Sequence, residues 1–141
     1  HTKPLELDGI KYGVLICYED ILPGFVRKAM KHQPDILVNI TNDAWFGDTH
    51  EPVIHLALAT FRAVEQRRFL ARATNTGISA FVDPAGRIIS QTPTFERANL
   101  MAEVAPLQGV TLYQELGDWP GFVSVLMMLG LVLRYRQREE D

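Results

Sequence analysis

The chain has 141 residues, of which 47% are hydrophobic and 22% charged, the balance of an ordinary globular protein long enough to bury one core. A formal net charge of −3 excludes the basic surface excess of a nucleic-acid binder. The single cysteine, Cys17, rules out an intramolecular disulfide, so that thiol is either inert packing or chemistry. The chain opens on His1-Thr2-Lys3-Pro4, with no initiator Met and no apolar run of a signal peptide, and it is expected to be a piece of something longer.

Ile10 to Tyr18 reads as a buried strand, with Tyr12, Val14, Leu15 and Ile16 as β-formers in a short apolar run. A helix is expected from Pro23 to about His32, since proline suits a first helical turn. Ile36 to Ile40 is a second strand, and the polar loop Thr41 to Asp48 after it holds Trp45 and Phe46. From Pro52 to about Arg68 the apolar residues recur at helical spacing in two stripes: Val53, Leu56, Ala57, Thr60, Ala63 and Val64 in one, Ile54, Leu58 and Phe61 in the other. Strands are expected at Phe69–Ala73, Ile78–Val82, Arg87–Gln91 and Leu100–Val104, and Asp83-Pro84-Ala85-Gly86 has turn chemistry. Alternating strands and helices followed by a run of strands give an α/β layer architecture with late antiparallel pairing.

The run from Pro120 to Leu133 is almost wholly apolar, with no amphipathic period. It is shorter than the roughly 20 residues of a spanning helix, and a buried core helix is the competing reading. Trp119 on one side, with Arg134, Tyr135, Arg136 and Arg138 on the other, fits an interfacial aromatic and a positive-inside flank, which favours a transmembrane helix over residues 119–136. On that reading residues 1–118 form a domain outside the cytoplasm and residues 137–141 a short cytoplasmic tail.

Cys17-Tyr18-Glu19 closes the first strand, where a thiol can be presented to a cleft. A thiol attacks only as thiolate, so it needs a base or cation nearby. Glu19 shares the strand face of Cys17 if the strand persists that far, and can orient or relay there, although its charge alone disfavours the thiolate. The bland reading of Cys17 is a small core residue. Trp45 and Phe46 read as core aromatics, or as exposed aromatics available to a ligand in a polar loop. Arg62 and Glu65, three apart on a very apolar helix, read as a buried structural pair. Arg67 and Arg68 read as a solvated helix end that complements the dipole, and Asn75 and Gly77 as a tight turn. His50 and His55 make a poor metal pair, because no cysteine or acidic cluster in the sequence completes a ligand set, and no metal or cofactor is expected.

Val14-Leu15-Ile16-Cys17-Tyr18-Glu19 resembles the nucleophile strand of the nitrilase, or carbon–nitrogen hydrolase, superfamily. The loop Asn42-Asp43-Ala44-Trp45-Phe46-Gly47-Asp48 resembles that of the apolipoprotein N-acyltransferases, a membrane branch of it. His55, Arg62-Ala63-Val64-Glu65, Thr74-Asn75-Thr76-Gly77, Asp83-Pro84-Ala85-Gly86-Arg87 and Gly117-Asp118-Trp119-Pro120 follow in the order and spacing of that family, so the resemblance runs from about Gly13 to Arg136.

The resemblance implies a partial nitrilase-like αββα sandwich followed by one C-terminal transmembrane helix. It implies Cys17 as the nucleophile, Glu19 as a further glutamate beside it, the backbone N–H of Tyr18 at the oxyanion, and Trp45, Phe46 and Gly47 at the substrate. The implied reaction moves a fatty acyl group from a phospholipid, typically phosphatidylethanolamine, through a cysteine thioester to the N-terminal diacylglyceryl-cysteine of an apolipoprotein. It also implies the bacterial inner membrane, with the catalytic part on the periplasmic side. The family's Glu base and Lys lie upstream of the nucleophile strand, and Lys3, Glu6 and Lys11 match no such motif, so this piece is expected to be inactive alone. The alternatives are a soluble nitrilase-type amidase and an inactive, decayed fragment.

Overall fold

The computed structural model describes residues 3–140, with side chains described to Gln137. Its strands form one mixed sheet in sequence order: β1 (Leu5–Leu7), β2 (Ile10–Ile16), β3 (Ile36–Thr41), β4 (Leu70–Thr74), β5 (Ala80–Val82) and β6 (Ile88–Gln91). The central strands β2, β3 and β4 run parallel, and β1, β5 and β6 add antiparallel pairs at the two sides. Helices α1 (Pro23–Ala29) and α2 (Glu51–Gln66) make the two parallel crossovers.

The core lies between the sheet and these helices, where Leu15, Leu37 and Leu70 from the three parallel strands meet Val26, Met30, Leu56, Ala59 and Ala63. Register fixes this layer: Leu15 pairs with Asn39 and Asn39 with Arg72, so alternate residues of all three strands point at the helices. Leu15, Leu37 and Leu70 are fully buried, each worth about 1.5–3 kcal/mol of transfer free energy. On the strands' other face Ile16 and Ile40 stand exposed. The outer stripe of α2, including Ile54 and Phe61, is exposed as well.

The structure corrects several expectations. The first strand stops at Ile16, and Cys17–Ile21 form a 3-10 turn rather than continuing the strand to Tyr18. Residues 100–104 form no strand, and β1 was not foreseen, although Asp8-Gly9, both at positive φ, is the dipeptide that a two-residue hairpin requires. Arg68 is buried rather than solvated. Its guanidinium donates to the carbonyls of Pro34, Gln66, Arg67 and Gly109, stitching the C-terminal end of α2 to two loops.

The expected membrane-spanning helix over residues 119–136 is not confirmed. A short helix, α3 (Leu112–Leu116), leads into α4 (Trp119–Glu140), but no helix among the described residues is long and apolar enough to cross a membrane. Pro120 and Gly121 dilute the apolar stretch at one end and Arg134 and Arg136 at the other, so the core from Phe122 to Leu133 covers only about 18 Å of a ~30 Å hydrocarbon layer. Residues 137–140 of the expected tail continue α4, and Asp141 lies outside the described residues, as does the side chain of Arg138.

Candidate active site

The parallel strands end at one rim of the sheet, the rim at which α/β proteins hold their chemistry. There β2 passes directly into the 3-10 turn, and Cys17, its first residue, has φ of 53°. A non-glycine residue in the left-handed region costs about 1–2 kcal/mol, and such strain persists only where the surroundings hold it. The consequence is a sharp strand-to-turn elbow with its thiol part exposed. The carbonyl of Cys17 accepts a 3.0 Å bond from Asn39 Nδ2, which also donates to the carbonyl of Leu15. Glu19 folds back on the turn, and its Oε2 accepts from the backbone N–H of Ile16 at 2.7 Å. The strand therefore does not persist far enough to set Glu19 on the face of Cys17.

Directly behind the elbow is a closed ring of charged side chains that sequence reading did not find. Arg72, on β4, donates from Nη1 to Asp20 Oδ2 at 2.6 Å and from Nη2 to Asp43 Oδ2 at 3.1 Å. His55, on α2, closes the ring, with Nε2 2.9 Å from Asp20 Oδ1 and Nδ1 3.2 Å from Asp43 Oδ1. Each ring nitrogen of His55 thus faces a carboxylate oxygen. Arg72 also donates to Asn39 Oδ1, and the Thr41 hydroxyl donates to Asp43. All six side chains are buried. Charges this deep are tolerated because each has a partner. One signal could have found them: Asn39 and Arg72 occupy core-facing positions in strands, in line with Leu37 and Leu70, where a polar residue demands an explanation.

The loop after β3 forms a second 3-10 turn, Asp43–Phe46, capped by Asn42 Oδ1 accepting from Ala44 N–H. Asn75 donates to that same Oδ1 at 2.6 Å, tying the loop to the end of β4. Within the loop, Trp45 is 83% exposed, Phe46 is half-buried and Gly47 takes a positive φ of 59°. Tyr18 connects this loop to the elbow: its ring meets Phe46 edge-on at 5.7 Å, stacks on His55 at 4.6 Å, and its hydroxyl donates to Glu51. Burial and the neighbouring Glu51 push the Tyr18 phenol well above its usual range, so it stays a donor. The structure therefore gathers Cys17, Tyr18, Glu19 and Phe46 at one rim and leaves Trp45 facing outward.

Among the other candidates, Arg62 pairs with Glu65 at 2.6 Å and reaches the carbonyl of Ile21, so the pair is partly buried and ties α2 to the elbow turn. Burial raises the Glu65 carboxyl above its ordinary value, opposed by Arg62. His50 is exposed at the start of α2. Asp43, Glu51 and His55 bring one ligand atom each within 4.8 Å of one another. Both nitrogens of His55 already face carboxylates, so this geometry is spoken for by the ring. Gly77 matters for closeness: a Cβ there would lie 2.1 Å from Asp43 Oδ2.

Over residues 2–112 the sequence matches the carbon–nitrogen hydrolase family. It is 41% identical over 135 residues to the apolipoprotein N-acyltransferase of Azotobacter vinelandii, across 96% of this chain and 26% of that protein. It is 38% identical over 138 residues to the apolipoprotein N-acyltransferase of Pseudomonas paraeruginosa, across 96% of this chain and 27% of that protein. The chain thus spans about a quarter of the length of these curated relatives. Among solved structures it resembles a mutant of the Nesterenkonia sp. AN1 amidase bearing acrylamide added at the active-site cysteine, with a TM-score of 0.53 and 28% identity over 65% of this chain and 39% of that one. A carbon–nitrogen hydrolase from Helicobacter pylori G27 shares the fold, with a TM-score of 0.56 and 13% identity over 64% of this chain and 39% of that one.

Proposed function

The chain belongs to the carbon–nitrogen hydrolase family, and from that premise we propose that it is the nucleophile-bearing part of an apolipoprotein N-acyltransferase. The observation that carries the proposal is the part-exposed Cys17, held at positive φ at the rim of the parallel strands. Its relatives add the reaction: the proteins it matches at 38–41% identity act as apolipoprotein N-acyltransferases by name.

The Cys17 thiolate attacks the ester carbonyl of a phospholipid, with phosphatidylethanolamine as the proposed donor. The oxyanion that forms is held by backbone N–H groups, that of Tyr18 among them. The C–O bond then breaks, the leaving lysophospholipid oxygen takes the proton that the base had drawn from the thiol, and a thioester remains on sulfur. The free amine of a diacylglyceryl-cysteine attacks that thioester, a C–N bond forms, the amine proton is lost to a base, and the thiolate returns. Glu19 acts in this scheme by holding the elbow, since its carboxylate is bonded to the Ile16 N–H. Phe46, Gly47 and the outward Trp45 line the approach of the acyl chain. The base and the oxyanion-polarising Lys come from the longer protein, and this piece alone is inactive. The whole protein works at the bacterial inner membrane with this part on the periplasmic side, and the exposed apolar surface of α4 suits such an apolar setting.

The test uses the full-length protein with a phospholipid carrying a labelled acyl chain. Wild type is expected to acquire a hydroxylamine-labile label that passes to a diacylated peptide, and Cys17→Ala to acquire none. Label on Cys17→Ala, or wild-type lipoprotein maturation in cells carrying it, would overturn the proposal. Release of the acyl group to water with no transfer to the peptide would favour the amidase reading instead.

A further inference from the structure

We propose that the buried ring of Asp20, Arg72, Asp43 and His55 is a positioning device that locks the aromatic loop to the nucleophile turn, so that the reactivity of Cys17 depends on both halves of the ring. The proposal rests on Cys17 being the nucleophile, as above. Asp20 belongs to the turn that Cys17 opens, and Asp43 opens the turn that carries Trp45 and Phe46. No hydrogen bond joins Asp20 to Asp43; each bonds instead to the same two side chains, Arg72 from the sheet side and His55 from the helix side. The hydrogen bonds that join the two turns therefore run through that shared pair, beside the edge-on contact of Tyr18 with Phe46. Arg72 extends the control to the nucleophile itself, because it orients Asn39, whose amide nitrogen holds the Cys17 carbonyl. The left-handed φ of Cys17 needs such an external hold. Tyr18 lies between Phe46 and His55, so the aromatic loop and the ring also meet through its ring stack.

Stability alone does not require this construction, since apolar packing of the same volume serves at least as well as buried ion pairs. What the charges supply is direction: the two carboxylates can be satisfied in one relative orientation of the turns.

The test splits the ring at His55 in the full-length protein. In His55→Gln the amide nitrogen replaces Nε2 and keeps the bond to Asp20; in His55→Asn it replaces Nδ1 and keeps the bond to Asp43. Three quantities are measured: the alkylation rate of Cys17 by iodoacetamide, kcat and KM for acyl transfer, and the melting temperature. Both variants are expected to alkylate about tenfold more slowly, with kcat falling in parallel and KM little changed, inside the ~10²-fold that an ångström of misplacement costs. Wild-type alkylation in either folded variant overturns the proposal. If neither folds, Thr41→Val, which removes only the hydroxyl bond to Asp43, decides: a two- to threefold slower alkylation is expected, and an unchanged rate refutes the coupling. Alkylation needs no lipid substrate, so a wild-type protein that alkylates normally but transfers no acyl group overturns the acyltransferase reading alone.

Discussion

Adding a single methyl group at Gly77 probes the buried ring without altering any of its members. The new Cβ would stand 2.1 Å from Asp43 Oδ2 and 2.8 Å from its Cγ, with 2.9 Å to its Cβ. Gly77 is not among the glycines at positive φ, so its backbone accepts an L-residue and the whole effect is one of contact. Asp43 has to retreat by about 1 Å to reach van der Waals separation. Its bonds to Arg72 at 3.1 Å and to His55 at 3.2 Å are near the upper limit already, and both are lost. Breaking one side of a buried ion pair costs about 3–5 kcal/mol. Partial relaxation brings the expected loss for Gly77→Ala to about 3 kcal/mol, or a fall of about 10 °C in Tm for a domain of this size. The assay is thermal unfolding of Gly77→Ala, Asp43→Ala and the double variant. With Asp43 truncated there is nothing left to displace, and Gly77→Ala should then cost less than about 1 kcal/mol. An equal cost in both backgrounds, or a Tm within about 2 °C of wild type for the single variant, would refute the steric reasoning.

Arg68→Met removes a donor from four carbonyls, of which that of Gln66 keeps its bond from Gln114; a loss of about 2–4 kcal/mol is expected, with faster amide exchange around Gly109 to Thr111 as the local readout. Asp83 is held below its ordinary 3.8 by the backbone N–H groups of Arg87 and Ala85 and by the Arg87 charge. Its contribution is therefore full above pH 3.8 and is lost as pH falls through the lowered folded value; Asp83→Asn should flatten that part of a stability–pH curve. Glu65 has the opposite sign. Burial raises its folded value above 4.5, so the folded state holds the proton longer, and stability declines as pH rises from 4.5 through the raised value. Glu65→Gln should remove that decline, and a curve with the slope unchanged would contradict it.

Elements whose signal is local were legible in the sequence. The strands at Ile36–Thr41 and Leu70–Thr74 and the helix Glu51–Gln66 lie where hydrophobic period and proline placed them. Cys17 stood out because it is unique in the chain. The end of its strand did not, because what stops β2 at Ile16 is the left-handed Cys17 and the Glu19 carboxylate turning back, neither of which has a composition signature. The ring escaped for a different reason. Asp20, Asp43, His55 and Arg72 lie on four separate elements and meet only once β2, β3 and β4 are aligned and α2 is laid across them. Arg68 was misread because a cation at a helix end is ordinarily solvated, and only the loops around Pro34 and Gly109 close over it. The expected span over residues 119–136 is not confirmed: its flanks fit, but no helix among the described residues is long and apolar enough to cross a membrane.

Arg27 joins two parts of the molecule that are far apart in the chain. Its guanidinium, on α1, donates to the carbonyls of Gln114 and Glu115 at the end of α3 and lies so near Gly117, just before α4, that a Cβ there would stand 2.0 Å from Nη1. Leu22, at the other end of α1, terminates the turn that Cys17 begins. The segment that leads into the terminal helix is thus tied both to α1, which starts where the elbow turn ends, and, through Thr111 and Gln114, to the carbonyls of Glu65 and Gln66 on α2, so that helix leaves the domain from a three-way joint.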